Sequence, residues 1–259
     1  MRKSNAGKET TFIWEGNIPL DEVELVSGLS TFSVPCELDK KIKSEWQKIE
    51  DKNPDAWDAP KWRFEYADKN PFGLKVYVSP SISYSQHNVM RHVEDQPMQF
   101  YPNPMTINTV QKTPDGYILM GVKGKGSDQK GLGLIGAGFV ERELRDGESL
   151  PPEPLGYLVQ RECMQEAIYD KKKDFYMLDA RALGIIFGSN HDTTLGVYLP
   201  IRAEKDEVSV NGNEHDDILY LPSDEKSINE VLNNGGYKGI DASDHLLGCL
   251  EAFNNRHNY

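Results

Sequence analysis

The 259-residue sequence has few cysteines, no long apolar run and fewer basic than acidic residues. Its three cysteines, Cys36, Cys163 and Cys249, lie far apart without CxxC spacing, which predicts free thiols and neither a disulfide framework nor a zinc site. The longest nearly apolar stretch, Leu132 to Val140, is interrupted by glycines and is too short to span a bilayer. The N-terminal MRKSNAGKETTF has no apolar stretch after its charges, unlike a signal peptide. We therefore expect a cytoplasmic protein with no membrane partner.

The charge balance narrows the class of ligand. The chain carries 29 Lys and Arg against 41 Asp and Glu, for a formal net charge of -12, and such a surface repels phosphate backbones. We therefore expect no nucleic-acid partner. An acidic protein can still bind a small phosphorylated ligand through a divalent metal ion, which reverses the local charge. The hydrophobic share of 38% is typical of a globular protein with a real core.

The sequence changes character near residue 100. Three prolines, Pro97, Pro102 and Pro104, mark the best candidate linker. This predicts an N-terminal α+β region over residues 1–100, contributing to a substrate pocket, and a catalytic-type domain over 101–259. Within the first region, helical spacing predicts a helix over Cys36 to Asp51, and alternation predicts strands at 62–66 and 74–78.

The second region predicts a layered domain. Strands at 105–110 and 117–122 flank a Thr-Pro-Asp-Gly turn and form a hairpin. A helix is predicted from Leu155 to Tyr169, with strands after it and a closing helix over 243–253. Strands on both sides of one central helix indicate an α/β/α sandwich. The later strands are predicted at 182–187, 195–201 and 218–221.

Two glutamates interrupt the apolar stripe of the predicted helix at 155–169. Glu162 and Glu166 are four residues apart, so their carboxylates are neighbours on the face that carries Leu158, Val159 and Cys163. Burying two like charges costs several kcal/mol unless a cation compensates them, and oxygen ligands suit Mg²⁺. The alternative is that both glutamates lie at the edge of the stripe, facing water or pairing with Arg161 or a distant lysine.

The residues before and within this helix resemble the Nudix box. The matching residues are Gly136-Ala-Gly138-Phe-Val-Glu141, then Arg161-Glu162-Cys-Met-Gln165-Glu166. The resemblance implies a Nudix-type α/β/α sandwich in which Glu162 and Glu166 bind divalent metal and Arg161 orients a glutamate. Gln165 stands where the family has a glutamate, and we expect it near the metal.

A second resemblance covers the segment before the box. Trp46, Asp58-Ala-Pro-Lys-Trp-Arg-Phe64, Ser83-Tyr84 and Asn88 are similar to the moiety X motif 22 family of Nudix hydrolases. That resemblance implies Mg²⁺-dependent hydrolysis of a nucleoside diphosphate substrate such as UDP-glucose or UDP-galactose, giving UMP and a sugar 1-phosphate. Mn²⁺ or Ca²⁺ are possible substitutes for Mg²⁺. The expected substrate-binding residues are Lys61, Arg63, Tyr84, Asn88, Gly136 and Gly138.

Other interpretations of these residues stay open. The DAPKWRF string is also typical of a turn followed by an amphipathic edge strand. The loss of a glutamate at Gln165 leaves a nucleotide-sugar sensor without catalysis as the second function. Asp216 or Asp217 is a candidate general base. A GxGxxG match over Gly131 to Gly136 lacks the strand before it and the helix after it that dinucleotide binding needs. The sequence leaves the oligomeric state open.

Overall fold

A computed structural model describes most of the chain. The described residues are 2–3, 10–28, 32–53, 56, 58–93, 96–124, 130–141, 144–145, 148–149, 152–169, 175–211 and 214–256. The helices are α1 (Cys36–Lys52), α2 (Tyr84–Met90), α3 (Leu155–Glu166), α4 (Glu225–Asn234) and α5 (Asp244–Asn255). The strands are β1 (Arg2–Lys3), β2 (Thr11–Pro19), β3 (Val23–Ser27), β4 (Pro60–Asn70), β5 (Gly73–Ser83), β6 (Met105–Lys112), β7 (Tyr117–Lys123), β8 (Leu132–Leu134), β9 (Ala137–Phe139), β10 (Leu144–Arg145), β11 (Glu148–Ser149), β12 (Ala167–Tyr169), β13 (Arg181–Phe187), β14 (Thr193–Pro200), β15 (Val208–Val210), β16 (His215–Pro222), β17 (Gly236–Tyr237) and β18 (Ile240–Asp241).

A mixed sheet forms the centre of the described structure. Its strand order is β1-β2-β13-β14-β6-β7-β16, with β8 added beside β7 and β9 beside β6. The β14–β6 pair is parallel, and β6 and β7 form the predicted hairpin. Alternate residues of β14 enter different cores: Leu195 and Val197 pack on one side of the sheet, and Tyr198 packs on the other.

Helices cover both faces of this sheet. The buried residues of α3, among them Leu158 and Val159, belong to the first core. The buried residues of α5, among them Leu246 and Phe253, belong to the second core, together with residues of α4. The predicted α/β/α layering is therefore confirmed.

The first hundred residues contain both helices and strands. A three-stranded sheet has the order β3-β5-β4, and α1 packs with α2 through a cluster that includes Ile42, Trp46 and Met90. The predicted helix beginning at Cys36 and the strands at 62–66 and 74–78 are confirmed. Strand β2 was not predicted, and it pairs with β13 in the central sheet.

The predicted helix over Leu155 to Tyr169 is wrong in its last turn. The helix α3 ends at Glu166, and the next three residues form β12, which pairs with β15. Alternation explains the change, because Ala167 and Tyr169 are buried and Ile168 between them is exposed. The phenol of Tyr169 also donates a hydrogen bond to Gln111 Oε1 at 2.6 Å, which ties β12 to the sheet.

Two expectations from the composition, on membrane spans and on cysteines, can be compared with the described residues. None of the helices described is long and apolar enough to cross a membrane. Cys36, Cys163 and Cys249 are free thiols, and the last two are buried. Gly131 immediately precedes β8, Gly133 lies on it, and Gly136 lies in the turn to β9. A strand follows these glycines where dinucleotide binding needs a helix.

Candidate functional site

A cavity of about 580 Å³ opens where the central sheet divides. Strands β6 and β7 pair at Lys112 and Ile118, and farther along β9 pairs with β6 while β8 pairs with β7. Residues of all four strands line the cavity, together with residues of β4, α2, α3 and α5. Its volume is within the ~300–1,000 Å³ that small-molecule sites occupy.

Glu166 at the end of α3 fixes the turn between β8 and β9. Its Oε2 accepts the backbone N–H of Gly136 at 2.6 Å and lies 3.1 Å from Nε2 of His215. The side chain is almost fully buried and does not itself line the cavity. Gly136 has φ +77, and a Cβ there would lie 2.6 Å from the sulfur of Cys163. This position therefore requires glycine for both its backbone and its packing.

Glu162 lies one turn earlier on α3 and lines the cavity. A Cβ at Gly138 would collide with its Oε2, so Gly138 is the second position that requires glycine. Ala137 between them has neither a positive φ nor such a contact. This explains physically why Gly-Ala-Gly serves here in place of adjacent glycines.

The electrostatics of Glu162 are those of a crowded, desolvated carboxylate. Burial raises its pKa, hydrogen bonds from Arg161 oppose that rise, and the negative charges of Glu166 and Glu141 add to it. Arg161 reaches Glu162 Oε1 at 3.1 Å and Glu153 at 2.7 Å. The alternative in which a glutamate pairs with Arg161 is thus realised at Glu162, yet the pairing does not cancel the cost of burial.

Glu141 completes a group that we call the carboxylate cluster: Glu141, Glu162 and Glu166. Glu141 Oε1 pairs with the buried Lys61 at 2.7 Å. Among described residues, no hydrogen bond reaches Oε2 of Glu141, Oε2 of Glu162 or Oε1 of Glu166. Each carboxylate of the cluster therefore keeps one oxygen for another partner. Glu141 and Glu166 both act electrostatically on the desolvated Glu162. Such a concentration of negative charge attracts a hard divalent cation, whose preferred ligands are oxygens.

A different group, which shares Glu166, has the more compact ligand geometry. Single ligand atoms of Glu166, Glu214 and His215 all lie within 4.8 Å of one another. Glu214 pairs with Lys123 at 2.7 Å, and a Cβ on Gly121 would collide with Nδ1 of His215. Only Nε2 of His215 therefore faces Glu166. Imidazole suits zinc and other transition metals better than magnesium, so this group and the carboxylate cluster predict different metal preferences.

The cavity gathers some of the predicted site residues. Arg161, Glu162, Gln165, Lys61 and Gly138 line it, and Gln165 is otherwise exposed to solvent. Gly136 contributes its N–H to Glu166, beside the cavity-lining Ala137.

Other predicted residues are placed elsewhere. Arg63 pairs with Glu65 at 2.7 Å, and neither Arg63 nor Asn88 lines the cavity. The side chain of Tyr84 lies outside the described residues. The proposed base, Asp216 or Asp217, is exposed, and neither residue lines the cavity.

Sequence reasoning missed a second polar group, which we call the histidine cluster: His87, Asn108, Asp192 and His245. All four line the cavity and come from α2, β6, the turn before β14 and the first turn of α5. The six histidines of the sequence show neither HExxH nor any paired ligand spacing, which favours ordinary surface or core residues. The sequence carries no signal for this cluster because its members meet only in the folded chain.

The histidine cluster is tightly bonded. His245 Nε2 lies 2.7 Å from Asp192 Oδ1, and its Nδ1 lies 2.9 Å from the hydroxyl of Thr194. Asn108 donates to the same hydroxyl at 3.1 Å. Burial lowers the pKa of His245, but the Asp192 charge and hydrogen bond outweigh it and leave that pKa raised.

Comparison with known proteins adds little to this description of the site. No family model matches the chain, and no curated protein matches it. One similar solved structure is a NUDIX hydrolase from Nitrosomonas europaea, which is 15% identical and has a TM-score of 0.30, over 58% of this chain and 87% of that one. At that level of similarity the likeness decides neither the fold nor the activity, and both have to be read from the chain itself.

Proposed function

We propose that the protein is a hydrolase that uses a divalent cation, Mg²⁺ by preference, to cleave the pyrophosphate bond of a nucleoside diphosphate conjugate. The observation that carries the proposal is Glu162 of the carboxylate cluster, a desolvated carboxylate that lines a ligand-sized cavity, feels the charges of Glu141 and Glu166, and keeps one oxygen without a described partner. The Nudix-box resemblance of these same residues supports it. The substrate that the second resemblance favours is a UDP-sugar such as UDP-glucose.

The chain divides the chemical tasks among its residues. Glu162 and Glu166 would hold the cation, with Glu141 beside them and the Gln165 amide at the edge. A cation held there would supply charge to neutralise the phosphate oxygens and would acidify a water molecule. Gly136 and His215 hold Glu166 in position through its other oxygen, as outer-shell partners of metal ligands do. Arg161 holds Glu162 in the same way.

Cations beside the cluster suit the substrate's phosphates. Lys61, Lys123, Arg91 and Arg161 all line the cavity, and the first two are largely buried. Buried cations complement phosphate charge more strongly than exposed ones because water screens them less. Water adds to one phosphorus, one phosphorus–oxygen bond of the anhydride breaks, and the products are UMP and a sugar 1-phosphate.

The test is a hydrolysis assay with a matched metal-binding measurement. Purified protein is incubated with Mg²⁺, Mn²⁺ or Zn²⁺ and UDP-glucose, UDP-galactose or ADP-ribose, and products are separated chromatographically. We expect Mg²⁺-supported release of the nucleoside monophosphate, lost in Glu162→Gln. A preference for Zn²⁺ that survives Glu162→Gln points to the group of Glu166, Glu214 and His215 in place of the carboxylate cluster.

Melting temperature supplies a readout independent of turnover. Without divalent ions, Glu162→Gln is expected to melt a few degrees higher than the wild type, because it removes a buried charge that its neighbours repel. Mg²⁺ should stabilise the wild type and leave Glu162→Gln unchanged. The control is Glu225→Gln, which removes an exposed charge. A folded wild type that neither hydrolyses the panel nor responds to a divalent ion contradicts the proposal.

A binding protein without catalysis is the second function. The observation that favours it is Gln165, which lines the cavity where the Nudix pattern has a glutamate. It predicts metal-dependent binding of the same nucleotides with no product formed.

A further inference from the structure

His87 is a buried polar side chain whose hydrogen-bonding capacity is unused by the described chain. Only 3% of the residue is exposed, yet it lines the cavity. Its ring meets the edge of Phe139 with centroids 5.4 Å apart, and neither ring nitrogen has a hydrogen-bond partner among the described residues. A polar ring that the described chain leaves without a partner and that lines a cavity is available to hydrogen-bond a ligand.

The charge state of His87 limits the kind of ligand. Burial lowers its pKa to about 4, against the raising effect of Asp192 and with smaller lowering effects from Arg91 and His245. At neutral pH the ring is uncharged, with one N–H donor and one nitrogen acceptor. An uncharged imidazole beside the Asp192 carboxylate brings no positive charge with which to attract a phosphate. It offers the donor and acceptor pair that a neutral hydroxyl needs.

The rest of the histidine cluster adds mainly acceptors. One N–H of the Asn108 amide donates to Thr194, and its Oδ1 accepts no hydrogen bond from the described residues. Asp192 Oδ1 pairs with His245, and the carboxylate has further lone pairs that can accept hydrogen bonds. Acceptors held this rigidly suit a ligand that brings several O–H donors.

The arrangement of Asp192, His245 and Thr194 invites a different interpretation, a catalytic triad. Thr194 excludes it, because this residue is fully buried and its hydroxyl also contacts Thr106 at 2.5 Å and Asn108. A nucleophile must reach its substrate, and this hydroxyl is enclosed. The chain of hydrogen bonds therefore holds the cluster in position.

The two clusters lie on different faces of β9. Asn108 pairs with Ala137 across the β6–β9 ladder, so the two side chains share a face, whereas Glu162 packs where the side chain of Gly138 would be. Both faces border the one cavity. A ligand whose phosphates meet the carboxylate cluster can extend past the edge of β9 to the histidine cluster.

We propose that the histidine cluster is a binding subsite for the diol of a carbohydrate ring, with His87, Asn108 and Asp192 as its hydrogen-bonding residues. The proposal rests on the proposed function, since it places the phosphates of the same substrate beside the carboxylate cluster. The diol belongs either to the nucleoside's ribose or to the conjugated sugar, and ligand chemistry distinguishes the two.

The first test changes the ligand. The wild-type protein with Mg²⁺ is titrated calorimetrically with non-hydrolysable compounds in which a methylene group replaces the oxygen that bridges the two phosphates. The three compounds are the analogues of UDP-glucose, of its 2′-deoxyuridine form and of the methyl ester of UDP, which keeps the diphosphate but has no sugar. Loss of the relevant hydroxyls should weaken binding at least about fivefold. Weaker binding of the 2′-deoxy analogue identifies the ribose, and weaker binding of the methyl ester identifies the sugar. Equal affinity for all three compounds overturns the subsite.

The second test changes the protein. Under the same conditions, His87→Phe should weaken binding of the UDP-glucose analogue about fivefold and leave the affinity for the compound without the recognised hydroxyls unchanged. Gln47→Phe is the control, since Gln47 is exposed on α1 and does not line the cavity. Unchanged affinity of a folded His87→Phe protein for the UDP-glucose analogue overturns the assignment.

The outcomes separate this proposal from the proposed function. Hydroxyl-dependent binding without hydrolysis by the wild type supports the subsite and contradicts the hydrolase. If the protein hydrolyses its substrate but its affinity for the three compounds does not depend on their hydroxyls, the hydrolase is supported and the subsite is overturned. Failure of the protein to bind any of the three compounds overturns the subsite as assigned.

Discussion

The carboxylate cluster and the histidine cluster border one cavity, but they are built differently. The first takes two of its three members from one helix and the third from the strand segment before it. The second takes its four members from four separate parts of the chain. The first is crowded with like charges and keeps oxygens unpaired, whereas the second pairs its charges and keeps a neutral ring unpaired. The difference suggests that one cluster binds a cation and the other a neutral polar group.

The largest expected effect comes from Glu166→Gln. The carboxylate accepts hydrogen bonds from Gly136 and His215, so a neutral amide weakens two buried charge-assisted bonds and removes a proposed metal ligand. We expect hydrolysis to fall by at least about 100-fold and the free energy of unfolding to fall by about 2 kcal/mol. Steady-state kinetics and urea unfolding measure the two effects.

Glu162→Gln sharpens this test because it should lose activity while gaining stability in the absence of metal. Glu225→Gln, at an exposed site, should change neither quantity. If Glu166→Gln keeps full activity, the carboxylate only supports the turn between β8 and β9.

The histidine cluster predicts a smaller, pH-dependent effect. The pKa of His87 falls from 6.5 to about 4 on folding, because burial disfavours the charged ring. Below pH 6.5 His87 is protonated in the unfolded chain but stays neutral in the folded chain down to about pH 4. The contribution of neutral His87 to the free energy of unfolding is therefore fully present above pH 6.5 and is lost as the pH falls to about 4. That loss is about 3 kcal/mol.

His245 acts in the opposite sense. Its raised pKa means that its contribution is fully present below pH 6.5 and is lost as pH rises through the folded value. Urea unfolding of wild type and His87→Phe between pH 7 and 4 isolates His87, because the other groups titrate in both proteins. We expect the wild type to lose about 3 kcal/mol more than the variant over this range. Parallel profiles for the two proteins contradict a neutral, buried His87.

The two clusters also differ in how far the sequence predicts them. The spacing of Glu162 and Glu166 on a helix is visible in the chain, and the structure shows that both are buried to different degrees and lie close to Gly138 and Gly136. The helix beginning at Cys36 was predicted because it buries one regular stripe, whereas the predicted helix near Ser243 is buried along nine consecutive residues. Strand β2 was missed because its burial does not alternate and its pairing with β13 is irregular.

Glu214 and His215 were not predicted as site residues, for a similar reason. Asp216 or Asp217 was the predicted base, but the neighbouring Glu214 and His215 are the residues that approach Glu166. The pairing of β16 with β7 shifts register between His215 and Asp217, so the simple alternation of a strand fails there. Such a bulge depends on the partner strand, and a single strand's residues do not encode it.

The smallest expected effect belongs to Gln165→Glu, at the edge of the carboxylate cluster. Gln165 is exposed and lines the cavity, so the extra carboxylate fits without repacking. Without metal we expect the free energy of unfolding to change by no more than about 0.5 kcal/mol, as is usual at surface positions. With metal, the added oxygen and charge should tighten Mg²⁺ binding severalfold, as measured by calorimetry.

Gln160→Glu adds the same charge to α3 at a residue that does not line the cavity, and its Mg²⁺ affinity should stay at the wild-type value. If Mg²⁺ binds equally more tightly to both variants, the added negative charge raises the affinity and residue 165 is not a metal ligand. Unfolding of Gln165→Glu means that the amide supports the structure and that the Nudix-box correspondence fails at this residue.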